Sequence, residues 1–249
     1  STAFPADVRQ GATRFGILDD NVIALTRTDT TQGAWRWNGT AWRPAAELLR
    51  GIEDVATTRG GRDRGLRLRD ADGDGQSELI IANETRQDIY RWSTDSWKPA
   101  DFGWPQAARI VNAQGQDAGL RFIDVDQDGL DDIIFSDQDR YSLSLWRAGK
   151  SAGWSLNALA GNRSDADAIP IISRLGTNNG AWFHSDHLWV QNEDTARLPN
   201  LVDRRSFQQL LEPLHGDMPP PRSPAQSRQA MRVPTGLKIE LVSSEPLVN

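Results

Sequence analysis

Apolar residues along this chain fall in short runs, not in helical stripes. Leu79-Ile80-Ile81-Ala82 and Ile133-Ile134-Phe135 are the clearest. Each run follows a polar turn and is followed by a segment that ends in tryptophan, Asp88 to Trp92 in one case and Ser142 to Trp146 in the other. Runs this short and this rich in β-branched residues predict buried strands. Ser93-Thr94-Asp95-Ser96 predicts a turn before Trp97. Nearer the start, Trp35-Arg36-Trp37 and Thr40-Ala41-Trp42 flank Asn38-Gly39. Asn-Gly tolerates positive φ at both central positions, so a two-residue hairpin is expected there. Between residues 1 and 200 no stretch has the spacing of a long amphipathic helix.

These patterns recur. Arg14-Phe15-Gly16, Arg67-Leu68-Arg69, Arg121-Phe122-Ile123 and Arg174-Leu175-Gly176 superpose, with the arginines 53, 54 and 53 residues apart. Each block leads into a turn, an apolar run and a tryptophan: Trp37, Trp92, Trp146 and Trp189. A second tryptophan closes the first three units at Trp42, Trp97 and Trp154, and the fourth unit is shortened. A mostly β repeat of about 54 residues predicts an all-β chain of β-propeller blades, since one small sheet cannot bury both faces alone. Large flat tryptophans suit the wedge between blades. Four units fall at the low end of the usual range. Ser1 to Gln10, with Phe4-Pro5, resembles the tail of an earlier unit, so further blades upstream, up to a seven-bladed ring, are expected. The four aligned arginines are expected to pair with loop carboxylates or strand-end carbonyls.

Two turns carry dense acid. Asp70-Ala71-Asp72-Gly73-Asp74-Gly75-Gln76-Ser77-Glu78 and Asp124-Val125-Asp126-Gln127-Asp128-Gly129-Leu130-Asp131-Asp132 both read D-x-D-x-D-G-x-x-[DE], one repeat apart. Ca²⁺ takes six to eight hard oxygen ligands. Carboxylates at positions 1, 3 and 5 converge if the backbone curls, and glycine at position 6 permits the curl. The carbonyl of position 7 (Gln76, Leu130) adds a neutral ligand, and the acid at position 9 (Glu78, Asp132) closes the shell. Four carboxylates so close repel unless a cation joins them, and Mg²⁺, with its small hydrated octahedron, fits less well. An EF-hand would need a bidentate Glu at position 12 between helices. Position 12 is Ile81 or Phe135, inside the apolar runs. The first and fourth units, with Asp19-Asp20-Asn21 and Thr177-Asn178-Asn179-Gly180, are expected to make ordinary tight turns, so two Ca²⁺ sites are expected, as local staples.

These units resemble the FG-GAP/VCBS repeats, the calcium-bearing propeller repeats also found in integrin α-chain heads. Asp70, Asp72, Asp74, Gln76 and Glu78, and Asp124, Asp126, Asp128, Leu130 and Asp132, with Gly75 and Gly129, match the family's loop, and the likeness extends over roughly residues 11–199. The family's literal Phe-Gly-Gly-Ala-Pro tract is absent. The resemblance implies metal-stapled blades.

After residue 200 the texture changes. Asp203 to Leu214 has helical spacing with Asp203 as N-cap, Met218 to Pro224 is a proline-rich linker, and Ser223-Pro224 is expected to start a short helix running to about Met231. Leu237 to Val242 alternates like a strand. The division expected is 1–200 propeller repeats, 201–234 helix and linker, and 235–249 the start of a following domain. Met231 to Val248 is similar to the opening of the large membrane-bound dehydrogenases of planctomycete-type bacteria, which resemble sugar dehydrogenases built on propellers. That likeness implies an accessory role beside a redox domain.

Composition narrows the chemistry. The sequence has no cysteine, which excludes disulfides, thiolate metal sites and a cysteine nucleophile. Its three histidines, His184, His187 and His215, leave little material for general-base catalysis. His184-x-x-His187 lacks a third ligand, and the Asn-x-Ser/Thr matches at Asn38, Asn83 and Asn162 carry little weight. The net charge of −6 argues against a nucleic-acid partner. The eight loop acids outweigh that charge, so the acidity belongs to the loops. No apolar run is long enough to span a membrane, and no nucleotide-binding or hydrolase motif occurs. The expected function is a non-catalytic, calcium-stabilised scaffold or binding module of a larger periplasmic or secreted protein, its partner a protein or a carbohydrate, joined to other domains of the same parent chain. The alternative is an accessory propeller of a sugar-dehydrogenase-like or other carbohydrate-active enzyme.

Overall fold

The structure is a computed structural model that describes residues 11–105, 108–148, 152–154, 159–166 and 168–214, with 223, 225, 227, 228, 231, 238 and 240 beyond them. The expectation for Ser1 to Gln10 lies outside the described residues, as do those for the proline-rich linker apart from Ser223 and for the strand at 237–242 apart from Lys238 and Glu240.

The chain is mostly β, in a four-bladed propeller-like arrangement. Blade one is β1 (Thr13–Leu18), β2 (Asn21–Arg27), β3 (Gln32–Trp37) and β4 (Trp42–Pro44), hydrogen-bonded in that order. A short hairpin, β5 (Thr58–Arg59) and β6 (Arg62–Asp63), leads into blade two: β7 (Leu66–Arg69), β8 (Glu78–Ala82), β9 (Gln87–Ser93) and β10 (Ser96–Pro99). Blade three joins β11 (Leu120–Ile123), β12 (Asp132–Ser136) and β13 (Arg140–Ser144). The chain then leaves through the small pair β14 (Trp146–Arg147) and β15 (Gly153–Trp154) before β16 (Leu159–Asn162) completes the sheet. A second entry hairpin, β17 (Ser173–Arg174) and β18 (Thr177–Asn178), precedes blade four: β19 (Ala181–His184), β20 (His187–Val190) and β21 (Asp203–Ser206).

The core consists of the seams between blades. Leu79 and Ile81 of β8 join Leu18, Ile23 and Leu25 of blade one, while Ile80 and Ala82 point the other way and join Ile133 and Phe135 of blade three. Ile134, between those two, packs with Leu188 and Val190 of blade four. This is why the strands read as continuous apolar runs: successive side chains point to opposite faces, and both faces are buried. Trp97 fills the first seam with its Nε1–H donating to Leu48 O at 2.8 Å, and Trp146 and Trp154 stack edge-on in the second. All three are 2% exposed, which matches the wedge-filling role.

Three local expectations are corrected. The Asn38-Gly39 connection is a four-residue loop, because Trp37 pairs with Trp42 and Asn38 Oδ1 accepts from the N–H groups of Thr40 and Ala41. The C-terminal helix starts later than Asp203. Asp203–Ser206 is a strand paired with β20, and Ser206 caps the single short turn of helix α1 (Phe207–Leu211) through Gln209. The chain therefore stays in blade four past residue 200. Ser227 N–H donates to Ser223 O, and Ala225, Ser227 and Arg228 are helical.

The register of the fourth unit is also shifted. Ala82, Ser136 and Gln191 donate their N–H groups to Gly65, Gly119 and Gly180 in turn, so Gly180 opens blade four as Gly65 and Gly119 open blades two and three. The position of Arg67 and Arg121 is then taken by Trp182, while Arg174 lies in the entry hairpin and pairs with Asp194 at 2.7 Å. The tight turn of that blade is Ser185-Asp186, and Thr177-Asn178 is strand. The other arginines pair outside the acidic loops. Arg14 and Arg67 both hold Asp63, and Arg121 holds Asp117.

Candidate metal centre

The two acidic segments connect first to second strand in successive blades, β7 to β8 and β11 to β12. Their backbones are wired alike. The position 6 glycine N–H donates to the position 1 carboxylate, Gly75 to Asp70 at 2.9 Å and Gly129 to Asp124 at 2.8 Å. The position 2 N–H donates to the position 9 acid, Ala71 to Glu78 at 2.8 Å and Val125 to Asp132 at 2.9 Å. The position 7 N–H donates to the position 5 carboxylate, Gln76 to Asp74 at 2.7 Å and Leu130 to Asp128 at 2.8 Å. Gly75 and Gly129 both sit at φ of +92°, the left-handed conformation that only glycine takes cheaply.

This curl brings Asp70, Asp72 and Glu78 together, with one oxygen of each within 4.8 Å of the others, and does the same for Asp124, Asp126 and Asp132. Asp74 and Asp128 stay outside these triads. The Gln76 side chain is turned away and accepts from Asp19 N–H of blade one at 2.7 Å, which leaves its carbonyl as the atom available to a metal. At position 12, Ile81 and Phe135 are buried in strands, as a non-EF-hand loop requires.

The electrostatics favour a cation. Glu78 and Asp132 are 0% and 1% exposed. Burial pushes the Glu78 carboxyl up to about 7, with the Asp72 and Asp74 charges adding to it. Burial likewise pushes Asp132 up to about 8, and Asp126 adds to it. Asp72 and Asp124 are also raised, chiefly by burial. Acids that resist ionisation because they are buried beside other acids are relieved by a divalent ion.

One arginine per site was not anticipated from the sequence. Arg91 on β9 donates to Asp72, and Arg147 on β14 donates to Asp126 at 3.2 Å. A single guanidinium leaves each triad with excess negative charge. The two arginines fall on different sides of the repeat tryptophans, before Trp92 and after Trp146, so the spacing that exposed the loops does not expose them.

His184 and His187 face each other across the Ser185-Asp186 turn, and each Nδ1 is occupied by an atom of Ser185. Among the described residues, no metal-binding group of three or more contains them. Asn83 is 6% exposed and holds its own turn, accepting from Thr85 N–H and Arg86 N–H and donating to Arg64 O.

With that geometry in view, comparison with known proteins places the loops. Residues 70–135 match the FG-GAP-like repeat. The matched span runs from the first acid of one loop into the strand after the other, so it contains both triads. No curated protein matches the chain. Among solved structures, one described as the structural basis of specific recognition of non-reducing terminal N-acetylglucosamine by an Agrocybe aegerita lectin is similar over 68% of this chain, with 16% identity and a TM-score of 0.38. The chain spans 39% of that structure's length. The FG-GAP-like repeat here thus carries two acidic clusters that could hold metal ions. No helix among the described residues is long and apolar enough to cross a membrane.

Proposed function

We propose that this chain is a calcium-stabilised propeller module serving as scaffold or binding domain in a larger exported protein. The observation that carries the reading is the duplicate wiring of the two acidic loops, each ending in a fully buried acid. In this reading Asp70, Asp72, Asp74, Glu78 and the Gln76 carbonyl hold one Ca²⁺. Asp124, Asp126, Asp128, Asp132 and the Leu130 carbonyl hold the other. Positions 1, 3 and 9 already converge, and the position 5 carboxylates, now turned to their own loop backbone, swing in on binding.

Calcium acts here as a staple. Each loop sits at a seam between blades, so fixing the loop fixes the angle between neighbours. Modules that tune affinity to 10⁻⁴–10⁻³ M Ca²⁺ work outside the cytoplasm, which supports a periplasmic or secreted setting. Titration calorimetry of the metal-stripped chain with CaCl₂ is expected to give two ions per chain, and Glu78→Gln is expected to leave one. A chain that takes up no calcium at millimolar concentration overturns the proposal.

A further inference from the structure

Each acidic loop already has a resident cation. Arg91 donates to Asp72 and, at 3.4 Å, to Glu78, so it touches two of the three acids that converge in the first loop. Its guanidinium also lies over the Phe102 ring at 4.8 Å. Arg147 donates to Asp126 of the second loop at 3.2 Å and to Trp146 O at 3.0 Å. Both arginines take the position 3 acid. Their side chains are 43% and 40% exposed, so each can withdraw toward solvent while the acids stay in place.

Blade one keeps the arginine and lacks the loop. Leu25 pairs with Arg14 as Ile80 pairs with Arg67, and two residues before Leu25, Ile23 pairs with Arg36. Two residues before Ile80 stands Glu78. Leu79 pairs with Tyr90, which puts Glu78 opposite Arg91. Arg36 and Arg91 therefore occupy the same place on the third strand of their blades. Arg36 donates to Asp19 of the β1–β2 turn at 3.4 Å. Among the described residues, no metal-binding group of three or more contains Asp19. A guanidinium from this place is the counter-ion of the first turn even where the turn lacks a converging triad.

Arg91 acts on an incoming metal ion in two opposed ways: it orients the acids, and its charge repels the ion. Orientation is supplied a second time by the backbone. Asp72 Oδ1 accepts from Asp74 N–H at 3.2 Å, Glu78 Oε2 from Ala71 N–H at 2.8 Å, and Asp126 Oδ1 from Asp128 N–H at 3.3 Å. These acids keep an anchor when the arginine leaves, whereas a like charge beside a divalent ion is repulsive in any orientation. We propose that Arg91 and Arg147 are internal counter-ions that stabilise the metal-free loops and weaken calcium binding, Arg91 the more strongly because it holds two acids of its triad. The inference rests on the calcium reading above, and it makes the first loop the weaker of the two sites.

Titration calorimetry of the whole metal-stripped chain with CaCl₂ tests it. Arg91→Gln removes the charge and keeps a polar side chain. It is expected to lower the weaker of the two calcium dissociation constants by about tenfold or more. In chelator it should melt about 2–4 °C below the parent, the cost of a partly exposed ion pair. Adding Glu78→Gln should abolish the tightened site, which assigns it to the first loop. Arg91→Lys keeps the charge without the fork and should stay within about threefold of the parent. An arginine that only orients Asp72 gives the opposite pattern, weaker binding in both Arg91 variants. Arg147→Gln should tighten the other site by a smaller factor, and it is the independent check should Arg91→Gln not fold without metal. A parent that takes up two ions while Arg91→Gln binds neither more tightly overturns this inference and leaves the calcium reading standing; a parent that takes up none overturns both.

Discussion

Ser77 and Ile17 bind each other twice across the first seam. Ser77 N–H donates to Ile17 O at 2.7 Å, and Ile17 N–H donates to Ser77 Oγ at 2.9 Å. Ser77 is position 8 of an acidic loop, and Asp131 at position 8 of the next loop likewise holds Arg69 of the preceding blade, whose guanidinium also lies over Phe122. Each loop therefore belongs to two blades. Its acids face its own turn, and its eighth residue faces the neighbour. Replacing Ser77 with alanine leaves Ile17 N–H without that acceptor in a partly buried place. We expect a loss of about 1–2 kcal/mol in chemical denaturation, with calcium stoichiometry unchanged at two.

Calcium should raise the melting temperature by an amount that grows with pH. A site saturated at a hundred times its Kd adds about 2.7 kcal/mol, or about 5–10 °C for a domain of this size. In the metal-free chain Glu78 and Asp132 have folded values of about 7 and 8, above their ordinary 4.5 and 3.8. The folded state thus holds more protons than the unfolded one between those limits, and its stability falls as pH rises from about 4 to 8. The metal-stripped chain should melt lower at pH 8 than at pH 5, and the calcium increment should be larger at pH 8. Scanning calorimetry with and without CaCl₂ checks both; an increment larger at pH 5 contradicts the assignment.

Gly119→Ala should be costly. Gly119 sits at φ +94°, and a β-carbon there would lie 2.4 Å from Ser136 O. Strain and clash together should remove about 2 kcal/mol or more. Gly65, at φ +72° and 2.5 Å from Ala82 O by the same measure, should behave the same way. Equal urea midpoints for parent and variant would refute this.

Leu175→Asn should do the reverse. Leu175 is 79% exposed at φ +51° in the two-residue turn before Gly176, where asparagine is preferred over a bulky side chain. A gain of up to about 1 kcal/mol is expected in the same urea assay.

The sequence made the middle of the molecule legible and its ends less so. Blades two and three announce themselves because Asp70 to Glu78 and Asp124 to Asp132 repeat one physical requirement at one interval, and because Leu79 to Ala82 and Ile133 to Phe135 are buried on both faces. Blade four hid its register. Trp182 stands where an arginine stood before, and a two-residue turn replaces a nine-residue loop, so Arg174 offered the more familiar match. Arg91 and Arg147 were hidden for a different reason. They reach the acids from strands that bring them near only after folding, across 19 and 21 residues of chain.

Because position 8 of each acidic loop serves the blade before it, the heritable building block of this architecture is the joint between sheets. A duplication or graft that cut the chain inside that turn would part the acids from the residue that transmits their order. Breakpoints in the Asn38-to-Ala41 or Asn83-to-Arg86 turns would keep each loop's acids and its eighth residue in one piece, and the module placed before them would have to supply the partner that Ile17 or Arg69 provides here.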